Sequence, residues 1–321
     1  MNEFKPRVAI TMGDPSGIGP EICAKALSDQ QVRQACDLIV VGSAEIFRRT
    51  CDSLAIPLGS IDNSLKIVDV PGLTDFSIGV DASTTGKASA QYIETAVRLW
   101  QAAEADAIAT APISKKAISL AGYDFPGHTE FLAHLTGTSR VGMSFFGGDL
   151  RVVLLSTHLS LVDAIKKVTR DNLLELIQFS HNELGKLLGK QPKLAVAGLN
   201  PHASEGGMFG HEEIGEIGPA VKDARESGID VSGPYSPDTI FLRCYRGEFD
   251  AVIALYHDQA TIPVKAFSFG SAVNVTLGLP LIRTSVDHGT AYDIAGKGIA
   301  DPSSMISAIK LAAELVRIKH R

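Results

Sequence analysis

Val8-Ala9-Ile10-Thr11 runs directly into Met12-Gly13-Asp14-Pro15-Ser16-Gly17-Ile18-Gly19-Pro20-Glu21. Four apolar or β-branched residues predict a buried strand, the glycine-rich stretch a tight turn, and Pro20 the opening of a helix that runs to Ser28. The turn lacks the third glycine of a G-x-G-x-x-G fingerprint and the lysine of a P-loop, so it is not a standard nucleotide motif. It remains either a glycine-rich substrate or cofactor loop or a plain turn.

The same strand–turn–helix rhythm continues outward from this unit. Further strands are expected at Leu38–Val41, Ala107–Thr110, Val152–Leu155, Leu194–Ala197, Ala251–Leu255 and Val273–Thr276. Helices are expected at Ala88–Ala103, Arg170–Leu188, Glu212–Ser227 and Pro302–Ile318, the last with Asp301 as its cap and Pro302 at its first position. Short β-branched runs alternating with amphipathic ones predict an α/β protein with a largely parallel sheet. At 321 residues the chain is long enough for two such domains.

Polar segments recur just past the expected strand ends. Besides the Gly13–Gly17 turn they are Ala111-Pro112-Ile113-Ser114-Lys115, Ser156-Thr157-His158, Asn200-Pro201-His202, Tyr256-His257-Asp258-Gln259 and Gly278-Leu279-Pro280. Ligands of open parallel sheets bind at that edge, where loops and helix N-termini converge. His158, His202 and His257 share this placement, so they read either as a divalent-metal set with an open position or as separate structural histidines. His211 reads as a solvated helix residue, and His134, His181 and His320 as ordinary helix-face residues.

Gly127-His128-Thr129-Glu130 opens a helix-like run, which would suit a phosphate or carboxylate, or would simply be capped by Thr129. Lys265, Asn274 and Arg283 punctuate an otherwise apolar stretch, and a buried arginine needs an anion. Asp287–Gly298 is the second glycine-rich stretch, with backbone donors suited to an adenosine.

A net charge of −6 with no Lys/Arg run argues against a nucleic-acid surface. No stretch reaches the roughly 18 apolar residues of a membrane span, and no signal region is evident. Cys23, Cys36, Cys51 and Cys244 form no C-x-x-C pair and read as reduced. The cytoplasm is the expected location. These residues alone leave open a metal-dependent aldolase or hydrolase, or a non-catalytic metabolite-binding protein.

Six ordered segments carry a resemblance over essentially the whole chain. They are Met12–Glu21, Gly127–Glu130, Ser156–Leu159, Asn200–Ala203, Tyr256–Gln259 and Ile282–Ala291. With them the chain resembles the 4-hydroxythreonine-4-phosphate dehydrogenase family of vitamin B6 biosynthesis. The stretch from His288 to Pro302 looks like the adenosine loop of the isocitrate and isopropylmalate dehydrogenases. The resemblance implies an isocitrate/isopropylmalate dehydrogenase-like fold of two α/β/α domains with the site in an interdomain cleft. Residues 1–130 plus 288–321 would form one domain, and 131–287 the other, with the metal histidines and the interface of a homodimer.

The resemblance further implies that His158, His202 and His257 hold zinc, magnesium or cobalt, one of them reaching across from the second subunit. His128, Thr129, Lys265, Asn274 and Arg283 would hold the phosphorylated substrate, and His288, Gly289, Thr290, Ala291 and Asp293 the NAD or NADP. Lys265 and Asp258 are the candidate bases. The reaction implied is oxidation of 4-phosphohydroxy-L-threonine, then loss of carbon dioxide to give 3-amino-2-oxopropyl phosphate. Ser160, Ser204, Ala260, Met208, Phe209 and His211 depart from the family pattern. They admit a paralogue acting on a 4-phosphorylated threonate or erythronate, or on a cis-dihydrodiol carboxylate.

Overall fold

The computed structural model describes residues 4–57, 65–73, 75–268 and 270–320. The chain divides into two compact units, Met1–Val141 with Leu279–His320, and Gly142–Gly278. The family resemblance placed the exchanges at 130 and 288. The compact units exchange at 141 and 279 instead, and the strand at Ile282–Val286 pairs in parallel with the one at Ala107–Thr110, which commits the segment before His288 to the first unit.

In the first unit the chain runs through β1 (Arg7–Thr11), α1 (Gly19–Ser28), α2 (Gln30–Ala35), β2 (Asp37–Gly42), α3 (Ala44–Ser53) and β3 (Leu65–Asp69). It continues through α4 (Ser83–Gln101), β4 (Ala107–Thr110), α5 (Lys115–Leu120) and α6 (His128–Thr136). In the second unit come β5 (Gly142–Gly147), β6 (Leu150–Leu154), α7 (Leu161–Lys166), α8 (Arg170–Leu188) and β7 (Leu194–Ala197). They are followed by α9 (Gly218–Glu226), β8 (Val231–Tyr235), α10 (Ile240–Tyr245), β9 (Ala251–Ala254), α11 (His257–Ser268) and β10 (Val273–Leu277). The chain then returns to the first unit as β11 (Ile282–Val286) and α12 (Ser303–Lys319).

The first unit's strands lie in the order β3-β2-β1-β4-β11, all parallel. The path steps from β1 through β2 to β3, then crosses by α4 to the other side of β1. The strand order therefore reverses between β1 and β4, and their loops part there to leave a crevice. β1, β2 and β4 are nearly or fully buried, which is why they read as unbroken apolar runs rather than alternating ones. α4 approaches α5 so closely at Gly86 that a Cβ there would fall 1.9 Å from the Ala117 carbonyl oxygen.

The second unit's order is β10-β5-β6-β9-β7-β8. β5 is antiparallel to both neighbours, and the rest pair in parallel. Phe145, Leu150, Val152, Ala195, Phe241, Val252 and Val264 fill its core, each large side chain stabilising the fold by about 1.5–3 kcal/mol. α8 starts where the Thr169 hydroxyl accepts from the Asn172 N–H and stops at Gly189, whose φ of 64° is left-handed.

Every strand and helix expected from the patterning is present, with shifts at some ends. The expected helix at Glu212–Ser227 begins as a wider π turn over Glu213–Ile217, because Pro219 has no N–H to continue a regular ladder. At α12 the helix begins one residue later than expected, with Pro302 as the cap residue. Asp301 still accepts from the Ser303 N–H at 2.9 Å. The alternation missed β3, which is half-exposed, β5, which is bounded by glycines, and β8, which is interrupted by glycine and proline. No helix among the described residues is long and apolar enough to cross a membrane. All four cysteines are free and buried, and burial pushes the Cys51 and Cys244 thiols up to about 11.

Candidate active site

The first unit carries an anion cradle. Arg283 lies inside β11, 3% exposed, and donates to the Thr110 hydroxyl on neighbouring β4 at 2.8 Å. Burial pushes its guanidinium down to about 9, which leaves it charged at neutral pH. His128 opens α6. Its Nε2 is enclosed and has no hydrogen-bond partner among the described residues. Burial first, and the Arg283 charge second, hold its imidazole well below the ordinary histidine value, so it is neutral.

Gly127 is the cap residue of α6 and supplies no side-chain cap. Thr129 is therefore not the cap, one of the two sequence readings, but the second helical residue. The first-turn N–H groups stay open to an anion. The Lys115 side chain passes beside Gly127 and adds positive charge.

A second polar cluster stands at the crevice between β1 and β4. Asp14 is fully buried after β1, and its carboxylate accepts from the Ser16 N–H. The Tyr292 phenol, from the loop after β11, lies 2.8 Å from Asp14 Oδ2 and 2.9 Å from Asp81 Oδ1. Asp81 also accepts from Ser114 and lies 3.5 Å from Lys116 Nζ. Adjacent parallel strands put their carboxyl-end loops side by side, which is why residues so distant in sequence meet here. The glycine-rich turn is thus more than a plain turn. The Ile18 N–H donates to the Thr290 carbonyl, and a Cβ on Gly17 would fall 2.8 Å from that oxygen.

The loop expected to bind adenosine is held by this cluster. His288, Gly289 and Asp293 are exposed, Thr290 is half-buried, and Ala291 takes a left-handed φ of 43°. Beside it lies a cavity of about 510 Å³ lined by Pro15, Gly17, Glu21, Arg49, Ile78 and Lys297, among others.

In the second unit, β6, β9 and β7 are neighbours and parallel, so the loops carrying His158, His257 and His202 are consecutive along one edge. The His158 and His257 rings lie 6.0 Å apart. Asp258 Oδ1 lies 2.6 Å from His257 Nδ1, which orients the ring. Ser156 donates to the Leu255 carbonyl, and Gln259 bridges the Leu255 N–H and the Gly198 carbonyl, stitching the three loops together.

His202 sits on a left-handed run, with φ of 54°, 52°, 62° and 46° from His202 to Glu205. Such strain persists only where the surroundings impose it. Here Glu213 does so, accepting from the Leu199 and Asn200 N–H groups and the Asn200 amide. His202 faces Phe209, ring centres 6.5 Å apart. Within one chain, the described residues hold no group of three or more His, Cys, Asp or Glu side chains placed to bind a metal. The structure pairs two of the expected imidazoles and leaves the third outside that pair.

Lys265 is exposed two turns along α11 from His257, and Asn274 is half-buried on β10 opposite Phe145. The sequence reading passed over Gln259, which its own quoted segment contained, and Asp14, in the quoted turn. It also passed over Tyr292, inside the quoted Asp287–Gly298 stretch, whereas Asp81 and Glu213 gave no local signal because their roles depend on partners brought in by the sheet.

Parallel sheets with polar loops gathered at their carboxyl edges, and a buried arginine beside an open helix N-terminus, are the architecture of an α/β enzyme. The family model described as pyridoxal phosphate biosynthetic protein PdxA matches residues 34–312, and the chain belongs to this family of dehydrogenases. It is 46% identical to a 4-hydroxythreonine-4-phosphate dehydrogenase of Geobacter metallireducens, over 99% of this chain and 98% of that one. It is 42% identical to a D-threonate 4-phosphate dehydrogenase of Cupriavidus necator, over 98% of each chain. The crystal structure of 4-hydroxythreonine-4-phosphate dehydrogenase from Klebsiella pneumoniae superimposes with a TM-score of 0.88 at 39% identity, covering 97% of this chain and 100% of that one.

Proposed function

We propose that the chain oxidises the secondary alcohol of 4-phosphohydroxy-L-threonine with NAD or NADP, the product then losing carbon dioxide to give 3-amino-2-oxopropyl phosphate. The observation that carries this reading is the buried Arg283 beside the half-buried His128, whose Nε2 is enclosed, at the open N-terminus of α6. A charged, buried guanidinium and an enclosed imidazole nitrogen lacking a partner call for a doubly charged, multi-acceptor anion such as a phosphate ester. The Thr129 N–H and hydroxyl complete the cradle. Lys265 and Asn274 serve the remaining polar groups of the substrate.

His158, His202 and His257 are assigned to a divalent metal. The donor set fits: two imidazoles at 6.0 Å, one oriented by a carboxylate, with the third contributed by a second copy in a homodimer. Bound there, the ion would supply Lewis acidity to the alcohol. Imidazole ligands suit zinc or cobalt, whereas magnesium would lean on oxygen atoms of the substrate and water. Asp258 is committed to His257, so the proton of the alcohol is assigned to Lys265. The loop His288–Asp293 is assigned to the cofactor's adenosine.

A second reading, oxidation of 4-phospho-D-threonate, is favoured by the Cupriavidus relative's activity and by departures around the His202 turn, where Ser204, Met208 and Phe209 stand. It keeps the phosphate cradle and changes only what meets the 2-position, an ammonium or a hydroxyl. The test is cofactor reduction by metal-replete protein with 4-phosphohydroxy-L-threonine, beside 4-phospho-D-threonate and 4-phospho-D-erythronate. Turnover of the amino acid alone supports the first reading. Preference for an aldonate replaces it with the second, and no reduction with any of them sinks both.

A further inference from the structure

Tyr292 presents a stoichiometric problem. Its phenol lies within hydrogen-bond distance of two carboxylate oxygens, Asp14 Oδ2 and Asp81 Oδ1, but owns one proton. Both contacts are full hydrogen bonds only if one carboxyl carries a second proton and donates it to the phenol oxygen. The surroundings say which. Asp81 has a hydroxyl donor in Ser114 and the Lys116 ammonium at 3.5 Å. Asp14 is fully buried and faces Asp81, and among the described residues no cation pairs with it. Its other neighbours are the Ser16 N–H, the Thr85 hydroxyl and, farther off, the Tyr92 phenol. Burial raises Asp14 and its donors lower Asp81. The proton chain therefore runs from Asp14 to Tyr292 to Asp81.

These three side chains come from the loops after β1 and β11 and from the segment entering α4. Beside them the Ile18 N–H donates to Thr290, and the Gly79 N–H to Ser16. His288, Gly289 and Asp293 themselves are exposed.

We propose that Tyr292 is a positioning residue for the cofactor loop: through one proton shared with Asp14 and Asp81, it pins residues 288–293 in the shape that receives the adenosine. The inference rests on the assignment of that loop to NAD. The strap itself does not.

Hydrogen exchange of amides 288–298 in the ligand-free protein from pH 4 to 8, combined with cofactor and substrate KM values, tests it. Tyr292→Phe keeps the ring and removes both hydrogen bonds. Exchange in the loop and KM for NAD are both expected to rise about tenfold, the effect of a lost bond to a charged group. KM for the phosphorylated substrate and kcat at saturating cofactor should stay within about twofold. Asp14→Asn places a permanent donor where the protonated carboxyl donates. It is expected to keep the loop protected and to flatten the loosening that wild type shows as pH rises through the Asp14 transition.

Unchanged exchange in Tyr292→Phe, or Asp14→Asn loosening the loop as much as Tyr292→Phe, overturns the strap. Loosened exchange with unchanged KM for NAD overturns its role in cofactor positioning. Failure of wild type to bind NAD in an equilibrium titration instead removes the loop's assignment, and the exchange data then decide the strap alone.

Discussion

Arg283 in the first unit is 3% exposed and already bonded to Thr110, whereas His158 and His202 in the second unit are exposed and His257 half-buried. The two regions handle charge in opposite ways. In the first, a permanent cation is sealed in a strand beside a neutral imidazole, and desolvation is met during folding by neighbours from β4 and α6. In the second, imidazoles stand at strand ends, the His257 ring held by Asp258. A buried charge must be prepared because an unpaired one is expensive to carry. A metal ligand must stay available because it binds only when a lone pair is free.

The largest expected effect breaks the second region. His257→Ala should reduce metal-dependent turnover on the order of 10³-fold or more while far-UV circular dichroism and thermal unfolding stay close to wild type. Turnover at the wild-type rate would remove the histidine from the metal assignment.

Next comes Arg283→Met, which breaks the first region without opening a cavity. KM for the phosphorylated substrate should rise roughly 100-fold, as expected for a charge-assisted pair worth about 3 kcal/mol, with a much smaller change in KM for NAD. An equal rise in both would mean that the arginine supports the fold rather than the phosphate.

The sealed imidazole makes a pH prediction. His128 is held neutral, its folded value lying below the unfolded 6.5. Above pH 6.5 neither state takes up the proton. Below it the unfolded chain does so first, and stability falls with acidity by up to about 1.4 kcal/mol per pH unit until the folded value is reached. Urea titrations of wild type and His128→Gln between pH 7.5 and 5 should converge at the upper end, with the wild type falling more steeply below 6.5. Parallel curves would show that the imidazole protonates in place.

The smallest effect sharpens the second region. Ser204 holds a left-handed φ of 62° and its hydroxyl accepts from the Gly207 N–H at 3.2 Å. Ser204→Gly relieves about 1 kcal/mol of backbone strain and loses a bond of similar worth. Its melting temperature should therefore stay within a few degrees of wild type. Ser204→Val, which keeps the strain and deletes the bond, should be less stable by about 1 kcal/mol. If Ser204→Val matches Ser204→Gly, the left-handed run does not impose the strain attributed to it.

Several residues were legible before the structure because their local chemistry is unusual. Arg283 inside Leu281-Ile282-Arg283-Thr284-Ser285-Val286 announced a buried charge, and histidines directly after strand-like runs announced a carboxyl-edge site. Strands buried on both faces, such as Val8–Thr11 and Leu194–Ala197, were equally plain. Others were invisible for a physical reason. Asp81 and Glu213 sit in ordinary polar stretches, and each acquires its role only when a loop from another strand arrives, Tyr292 at one and Asn200 at the other. The family departures at Ser160 and Ala260 also gained meaning only in space. Ser160 caps α7, and Ala260 is fully buried on the inner face of α11.

The sequence by itself determined the α/β class, the strands that are buried on both faces and the residue types available for anion, metal and cofactor, because period and burial are written in local patterns. The tertiary structure alone decided which of those residues meet. Strand order is set by crossovers that span tens of residues. It is the order β1-β4-β11 that brings Asp14, Ser114 and Tyr292 together, and β6-β9-β7 that pairs His158 with His257.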